Sequence, residues 1–583
     1  MQSTQKEIVK SLSEEVREFF FNELSLKNFT PVQLCTTHYF LHNYDCIVQA
    51  PTGSGKTLAY IIPTIQLLKK CRTKDAKNST RIFALILVPS RDLVTQVASV
   101  LEPLCKKMEF SVARLVGGGG AKANPETLFE GDCVVVATPG RLSSLLEKMG
   151  NLKNWLKSLE VLIIDEADRF SDVEFRKSIS EILSSLPKQR RTGLFSATQA
   201  KDMEELVKFG LRNPIRLNVT GQETTINPDS DQTMSTSNVA PEELTNHHTF
   251  IPADQKLLAL INFLKERKNS KILVFFWSSA CVEYLAKILP QFLKGQEIVA
   301  LHGKKKFTRS KIIEKFRKSQ NCVMLSTDLM GRGIDVVDID WVVQFDIPKH
   351  SSWFVHRSGR SGRAGRLGQA VVFLTHEESA YAKFLETHEK ISFNELKIKG
   401  LTEEAAKKIR AKVIEIASSD REILELGTRA FVSFIQAYSK HDSQIVCKLK
   451  DLDIIGLAHS YGLLRIPIML ELKSFKLGTF KRTDIETSKI SFKDPKRELE
   501  RQKNLTERQN PVPAEKKPQK AKSEKIEKEK ISKKRKRKQK SEWEELQEAD
   551  RLLKKFKKGK LSKEEVNKLM DKEDSEPENN DSD

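Results

Sequence analysis

Long apolar runs are missing from this sequence. No stretch approaches the ~18 residues that a membrane-crossing helix requires, so no membrane partner is expected. The amino terminus, Met1-Gln2-Ser3-Thr4-Gln5-Lys6, lacks the apolar core of a secretory signal. Its eight cysteines form no CxxC pair and follow no metal-finger spacing. That excludes a zinc finger. Several stand in apolar runs, where cysteine acts as a small hydrophobe, and a reducing, intracellular setting is expected. Acidic residues are in deficit: 78 Asp and Glu stand against 99 Lys and Arg, a net charge of +21. An excess of this size has two readings, a soluble protein with a basic tail or a polyanionic partner, usually nucleic acid, and the charge alone does not choose between them.

At 583 residues the chain is too long for one compact domain. Residues 1–45 read as a helical lead-in, with Val16, Phe19, Phe20, Leu24 and Leu26 spaced for one apolar face. Short apolar runs at Cys46–Val48, Phe83–Val88, Cys133–Ala137, Val161–Ile164 and Thr192–Phe195 then alternate with helical segments. Such alternation marks a parallel sheet covered by helices, here over 46–217. The polar stretch 218–247 reads as a linker. Alternation resumes over 248–395, with strands expected at Ile272–Phe276, Ile298–Leu301, Val323–Ser326, Trp341–Phe345 and Ala370–Leu374. Helical spacing over 396–493 predicts a small helical domain. From 494 to 583 Lys, Glu, Arg and Gln dominate, which predicts a basic, largely disordered tail. Within it Glu548–Met570 has helical spacing and Lys533–Lys538 is nearly pure cation.

Two segments carry chemistry. Ala50-Pro51-Thr52-Gly53-Ser54-Gly55-Lys56-Thr57 lies between the apolar runs Ile47–Gln49 and Leu58–Ile62, as strand, loop and helix. Gly53 and Gly55 let backbone amides close around phosphates, Lys56 places a cation on the outer phosphates, and the Thr57 hydroxyl can join Mg2+. The second segment, Asp165-Glu166-Ala167-Asp168, ends the run Val161–Ile164. A buried parallel strand delivers such acids to the carboxyl edge of its sheet. Asp165 would hold the metal, partly through water, and Glu166 would orient and deprotonate the attacking water.

The spelling of that acidic segment, together with the motifs around it, resembles the DEAD-box family of ATP-dependent RNA helicases over about residues 20–375. The resemblance implies an α/β fold of two tandem RecA-like parallel-sheet domains, followed by a helical C-terminal extension and a basic tail. It implies an RNA-dependent ATPase with ATP and Mg2+ as cofactors. The loop from Ala50 to Thr57 matches the family's own phosphate-binding motif, Ala50 included. Phe29-Thr30-Pro31-Val32-Gln33 looks like its adenine-reading motif. The Gln33 amide can both donate to and accept from adenine.

RNA-binding motifs are matched by Pro89-Ser90-Arg91-Asp92-Leu93, Gly117–Gly120 with Gly118, Thr138-Pro139-Gly140-Arg141 and His302-Gly303. Ser196-Ala197-Thr198 resembles the motif that couples hydrolysis to strand separation, a role extended to Asp168 and His356. Ser326-Thr327-Asp328 with Gly331-Arg332-Gly333-Ile334-Asp335 resembles the motif touching both ligands: Thr327 and Arg332 on RNA, Asp335 on ATP. His356 to Arg363 resembles the last motif, which makes Arg360 and Arg363 arginine fingers. Arginine suits that role through its fixed fork of donors. The fingers stand on the second domain, so the ATP site would be complete only when the domains close. Some residues depart from the family pattern: Gly331 for Ala, Phe307 for Gln, Asp92 for Glu, and Arg309 one place out of register.

Beyond the core, Gly427–Tyr438, Leu449–Leu452 and Leu464–Pro467 resemble the extension of members that act in nucleolar ribosome assembly. Lys188–Gln199, Phe492-Lys493-Asp494 and Arg551–Lys560 look closest to a subfamily maturing the large ribosomal subunit. That implies pre-rRNA and pre-ribosomal proteins as partners, a nuclear and nucleolar location, and a monomer outside such assemblies. The tail has two compatible readings, an RNA tether and a nuclear import signal, beside that of a solvated segment. Rival readings of the whole are a DNA translocase and an ATP-gated RNA clamp or assembly scaffold with little unwinding.

Overall fold

The structure, a computed structural model, describes residues 2–71, 80–117, 125–171, 173–198, 210–212, 214–220, 223–227, 244–303, 309–328, 336, 338–362 and 366–509. Gly118, Phe307, Gly331, Arg332, Asp335, Arg363, Lys533–Lys538 and Glu548–Met570 lie outside them. The chain falls into two compact units, Met1–Lys493 and Asp494–Asp583.

The first sheet contains β1 (Cys46–Gln49), β2 (Arg81–Leu87), β3 (Ser111–Leu115), β4 (Asp132–Ala137), β5 (Val161–Asp165), β6 (Arg191–Ser196), β7 (Ile215–Thr220) and β8 (Glu223–Asn227). Its order is β3-β4-β2-β5-β6-β1-β7-β8. All neighbours are parallel except β7 and β8. The apolar runs form strands because alternate residues find a core on each face. Val48, Ile86, Val136, Ile163 and Phe195 pack on one side with the helices Lys56–Cys71 and Arg91–Lys107. Ile47, Leu87, Val135, Ile164 and Leu194 pack on the other with the helices Pro139–Lys148 and Val173–Ser185. Burial on both faces is what removes a polar alternation from such strands.

The second sheet contains β9 (Leu244–Phe250), β10 (Ile272–Phe275), β11 (Glu297–Leu301), β12 (Cys322–Ser326), β13 (Trp341–Gln344), β14 (Gly368–Leu374) and β15 (Asn394–Glu395), all parallel to their neighbours. Its order is β11-β12-β10-β13-β14-β9-β15. Two tandem parallel sheets sandwiched by helices are the RecA-like architecture expected.

Two local expectations need correction. The stretch 218–247 is not linker throughout. β7 runs to Thr220, β8 occupies Glu223–Asn227 and β9 begins at Leu244. β7 keeps Ile215, Leu217 and Val219 in the core of the first sheet, and β8 pairs with it at the edge through ladder hydrogen bonds. The extension is not a separate core either. Its helices Glu403–Ser419, Arg421–Tyr438 and Ile454–Ser460 place Phe431, Phe434 and Tyr461 in one cluster with Phe263, Tyr284 and Leu285 of the second domain. Tyr284 donates to the Tyr461 carbonyl at 2.6 Å and the Leu257 amide to Ser460 at 3.0 Å. At its start the tail region carries a helix, Pro495–Gln509, which Asp494 starts by accepting from the Lys496 amide at 3.0 Å.

Seven cysteines among the described residues form no disulfide, and all but Cys35 are buried, as a small hydrophobe should be. Among the described residues no helix is long and apolar enough to cross a membrane.

Candidate functional site

Parallel strands put their carboxyl ends on one edge, and the register brings the chemistry of the first domain together there. Gln49 pairs with Ser196 and Asp165 with Phe195, so the loop after β1, the acids after β5 and Ser196 leave the sheet side by side. The Ala50 amide donates to the Ser196 carbonyl at 3.0 Å. The loop turns through Gly53 and Gly55 at φ +83° and +92°, the left-handed region that glycine enters without strain. Gly55 is also tightly approached, since a Cβ there would lie 2.6 Å from Gln33 Nε2.

Gln33 is buried and ties the neighbouring helix to the loop. Its Oε1 accepts from the Thr30 amide at 2.9 Å, completing a capping box for the helix Pro31–Leu41, and its Nε2 donates to the Gly55 carbonyl at 3.3 Å. Phe29 is buried and stacked on Phe20 at 4.1 Å. Both ends of the Gln33 amide and the face of Phe29 are therefore engaged within the chain.

Lys56 Nζ donates to the Ala50 and Pro51 carbonyls at 2.6 and 2.8 Å. Burial pushes its pKa down to about 8, opposed by Asp165, Glu166 and Asp168 and reinforced by Arg360. Asp165 is buried and accepts from Tyr60 Oη at 3.1 Å and from the Glu166 amide at 2.8 Å. Desolvation raises its pKa, and Lys56 is the main opposing influence. The Tyr60 hydroxyl lies between Asp165 and Thr57. Glu166 is a non-glycine residue at φ +52°, with Oε2 buried and unpartnered among the described residues. A hydroxyl, one buried carboxylate and one uncommitted carboxylate oxygen fit Mg2+, which keeps several waters and takes one or two carboxylates beside substrate phosphates. No group of three metal-ligating side chains exists among the described residues.

Asp168 is the hub of the site. Its Oδ1 accepts from Ser196 Oγ at 2.9 Å, and Ser196 Oγ in turn accepts from the Thr198 amide at 3.1 Å. Its Oδ2 accepts from His356 Nε2 of the second domain at 2.8 Å, with both side chains 1% exposed. A second link between the domains runs from Thr52 Oγ1 to the Gly359 carbonyl at 3.3 Å. Arg360 is buried on the same short segment, and its charge reaches Lys56.

The motifs expected on RNA share these edges. Pro89 and Arg91 follow β2. Thr138, Pro139 and Arg141 follow β4, with the Thr138 amide donating to the Leu115 carbonyl at 3.0 Å. In the second domain His302 and Gly303 follow β11 and Thr327 follows β12. His302 is buried near Glu283, 3.5 Å away.

Two pairings were not foreseen from the sequence. Arg357 forks onto both oxygens of Asp328 at 2.6 and 2.9 Å, anchoring the turn after β12 to the helix Ser351–Ser358. Arg309 pairs with Asp92 across the two domains. The only sequence signal for either was position: Asp328 and Arg357 lie inside recognised motifs, and Asp92 and Arg309 are among the departures.

A phosphate loop and an acid-ended strand on one RecA-like domain, faced by buried arginine and histidine of a second, define a two-domain nucleoside-triphosphatase of the helicase class. A family model described as DEAD/DEAH box helicase matches residues 30–206, and one for the helicase conserved C-terminal domain matches 255–365. A third, described as the C-terminal extension of ATP-dependent rRNA helicase SPB4-like proteins, matches 420–469. The chain is 42% identical over 565 residues to mouse ATP-dependent RNA helicase DDX55, covering 94% of this chain and 92% of that protein. It is 41% identical over 582 residues to a probable DDX55 homolog of Caenorhabditis briggsae, with 96% and 98% covered. Among solved structures, Mss116p bound to single-stranded RNA and AMP-PNP shares the fold at a TM-score of 0.66 and 23% identity, with 79% and 90% covered. The chain belongs to the DEAD-box family of ATP-dependent RNA helicases.

Proposed function

We propose that this protein uses ATP hydrolysis to bind and locally unwind or remodel RNA during rRNA processing and assembly of the large ribosomal subunit. The observation that carries the reading is Asp168, which joins the hydrolytic strand, the Ser196–Thr198 motif and His356 of the second domain in one buried network. ATP entering this cleft would meet Gln33, the loop from Ala50 to Thr57 and, from the other side, Arg360 and the Asp335 and Arg363 segments. Lys56 neutralises the outer phosphates, Glu166 takes a proton from the attacking water, and Arg360 stabilises charge developing on the transferred phosphoryl group. Mg2+ held by Thr57 and Asp165 would supply further charge neutralisation on the phosphates.

RNA would lie along the remaining part of the same edges. Arg91, Gly118, Thr138 and Arg141 on one domain and His302, Gly303, Thr327 and Arg332 on the other would grip phosphates and 2′-hydroxyls of one strand. Each ligand favours the closed arrangement, so each strengthens the binding of the other. The match of residues 420–469 to an rRNA helicase extension supports a pre-ribosomal setting. Pre-rRNA and pre-ribosomal proteins are then the partners, the nucleolus is the location, and Lys533–Lys538 is an import signal and RNA tether.

ATP turnover is expected to rise with single-stranded RNA, and an RNA duplex to open where the matching DNA duplex does not. Equal action on DNA would refute the RNA reading. For the assembly role, ultraviolet crosslinks to cellular RNA should concentrate on large-subunit precursor rRNA, and a spread over messenger RNA would overturn it.

A further inference from the structure

The C-terminal extension holds a cavity of about 590 Å3 that takes no part in the ATP or RNA edges. It lies between the helix Arg421–Tyr438 and the irregular segment that carries Leu464–Ile468 and Arg482. Three exposed arginines line it, Arg429, Arg465 and Arg482, and none has a hydrogen-bond or ion-pair partner among the described residues. The fourth, Arg421, is committed to Glu425 and to the Thr487 and Ile490 carbonyls. Glu425 is the only acid in the lining, and that pairing occupies it. Beside these cations stand Ile466, Pro467 and Ile468. Ile468 is fully exposed at 101%, and Leu470 two residues on is 75% exposed.

Unpaired guanidiniums around an aliphatic rim suit an anion that also carries apolar groups. The lining contains no aromatic residue. Single-stranded RNA draws much of its affinity from base stacking on aromatic rings, and it would leave Ile468 in water. A peptide supplies both halves: carboxylates for the fixed guanidinium forks, and an aliphatic or aromatic anchor for the isoleucines.

We propose that this groove is a docking site for an acidic segment of a partner protein, in which carboxylates flank one apolar anchor. Arg429, Arg465 and Arg482 take the carboxylates, and Ile466 and Ile468 take the anchor. The site lies on the extension alone, so it stands or falls independently of the hydrolytic mechanism.

Selection of random dodecapeptides displayed on phage against the full-length protein, with the Arg465→Glu/Arg482→Glu variant as counter-target, tests this. The expected winners carry two or more Asp or Glu residues around a Leu, Ile or Phe. The best synthetic peptide should lose affinity by about tenfold or more on the double variant. It should lose affinity on Ile468→Asp as well, while RNA-stimulated ATP turnover stays at the wild-type level for both. Recovery of no acidic sequence, or equal recovery on the double variant, overturns the proposal. If instead a uridine dodecamer binds the wild type and is lost on the double variant with no peptide enriched, the groove is an RNA site and the peptide assignment is wrong.

Discussion

Glu166 occupies φ +52°, where a side chain with a Cβ carries strain of about 1–2 kcal/mol. The strain turns the residue off the strand axis directly after Asp165, whose Oδ1 holds the Glu166 amide. Adjacent carboxylates thereby take different jobs. Asp165 is buried against Tyr60, and Glu166 keeps an uncommitted oxygen. Glu166→Gln keeps the shape and removes the base, so hydrolysis should fall by about 10²–10⁴-fold while ATP affinity is preserved. Nucleotide titration beside steady-state turnover checks it, and normal turnover would remove Glu166 from the mechanism. Gly55→Ala should act on binding instead. The left-handed φ and the approach of Gln33 leave no room for the methyl group, so ATP affinity should drop by about tenfold or more, a cost above 1.4 kcal/mol. An unchanged affinity would mean that the loop and Gln33 are not coupled.

At the level of elements, the extension is held to the second domain by side chains buried between them. His441, just past the helix Arg421–Tyr438, is 1% exposed. The Ser443 amide donates to its Nδ1 at 3.0 Å, so the proton must sit on Nε2, which faces the Pro348 carbonyl at 2.8 Å. Burial holds its pKa down to about 4, with His350 and Lys349 acting in the same sense and the Pro348 carbonyl and Asp442 opposing. A group depressed in the folded state contributes stability above its unfolded pKa and loses it as pH falls. The window is therefore from about 6.5 down to about 4. Acidification across it should cost up to about 3 kcal/mol through this residue. His441→Gln, which can keep both hydrogen bonds without titrating, should flatten the urea-denaturation profile across that window. Identical pH slopes for the two proteins would assign the acid sensitivity elsewhere.

For the whole molecule, the two domains meet through Thr52 with Gly359, Asp168 with His356 and Asp92 with Arg309. Gly359 leaves no room for a side chain, because a Cβ there would stand 2.0 Å from Thr52 Oγ1. Gly359→Ala should therefore block closure and remove RNA stimulation of the ATPase while each domain stays folded by circular dichroism. Retained stimulation would show that activity does not need this approach. The Asp92–Arg309 pair offers a test by exchange. Arg309→Asp should weaken RNA-stimulated turnover, and Asp92→Arg in the same chain should restore part of it, since a charge pair survives reversal where a single change leaves repulsion. No recovery in the double variant would make the two effects independent.

The RecA-like pair and the hydrolytic centre were legible in the sequence because buried parallel strands need continuous apolar runs and phosphate chemistry needs a fixed local spelling. Val161–Asp165 and Ala50–Thr57 carry both signals within a few residues. β8 escaped because an edge strand is held by backbone ladder hydrogen bonds, which composition does not reveal. The shared core of the extension escaped because periodicity reveals that a helix has an apolar face, not which partner covers it, and Phe431 and Tyr461 found Tyr284 rather than a core of their own. Composition and local spelling thus determined the chemistry and the class of fold. Which distant residues meet, Asp168 with His356 and Asp92 with Arg309, was decided only by tertiary structure, because contacts between separate domains leave no local pattern in the chain.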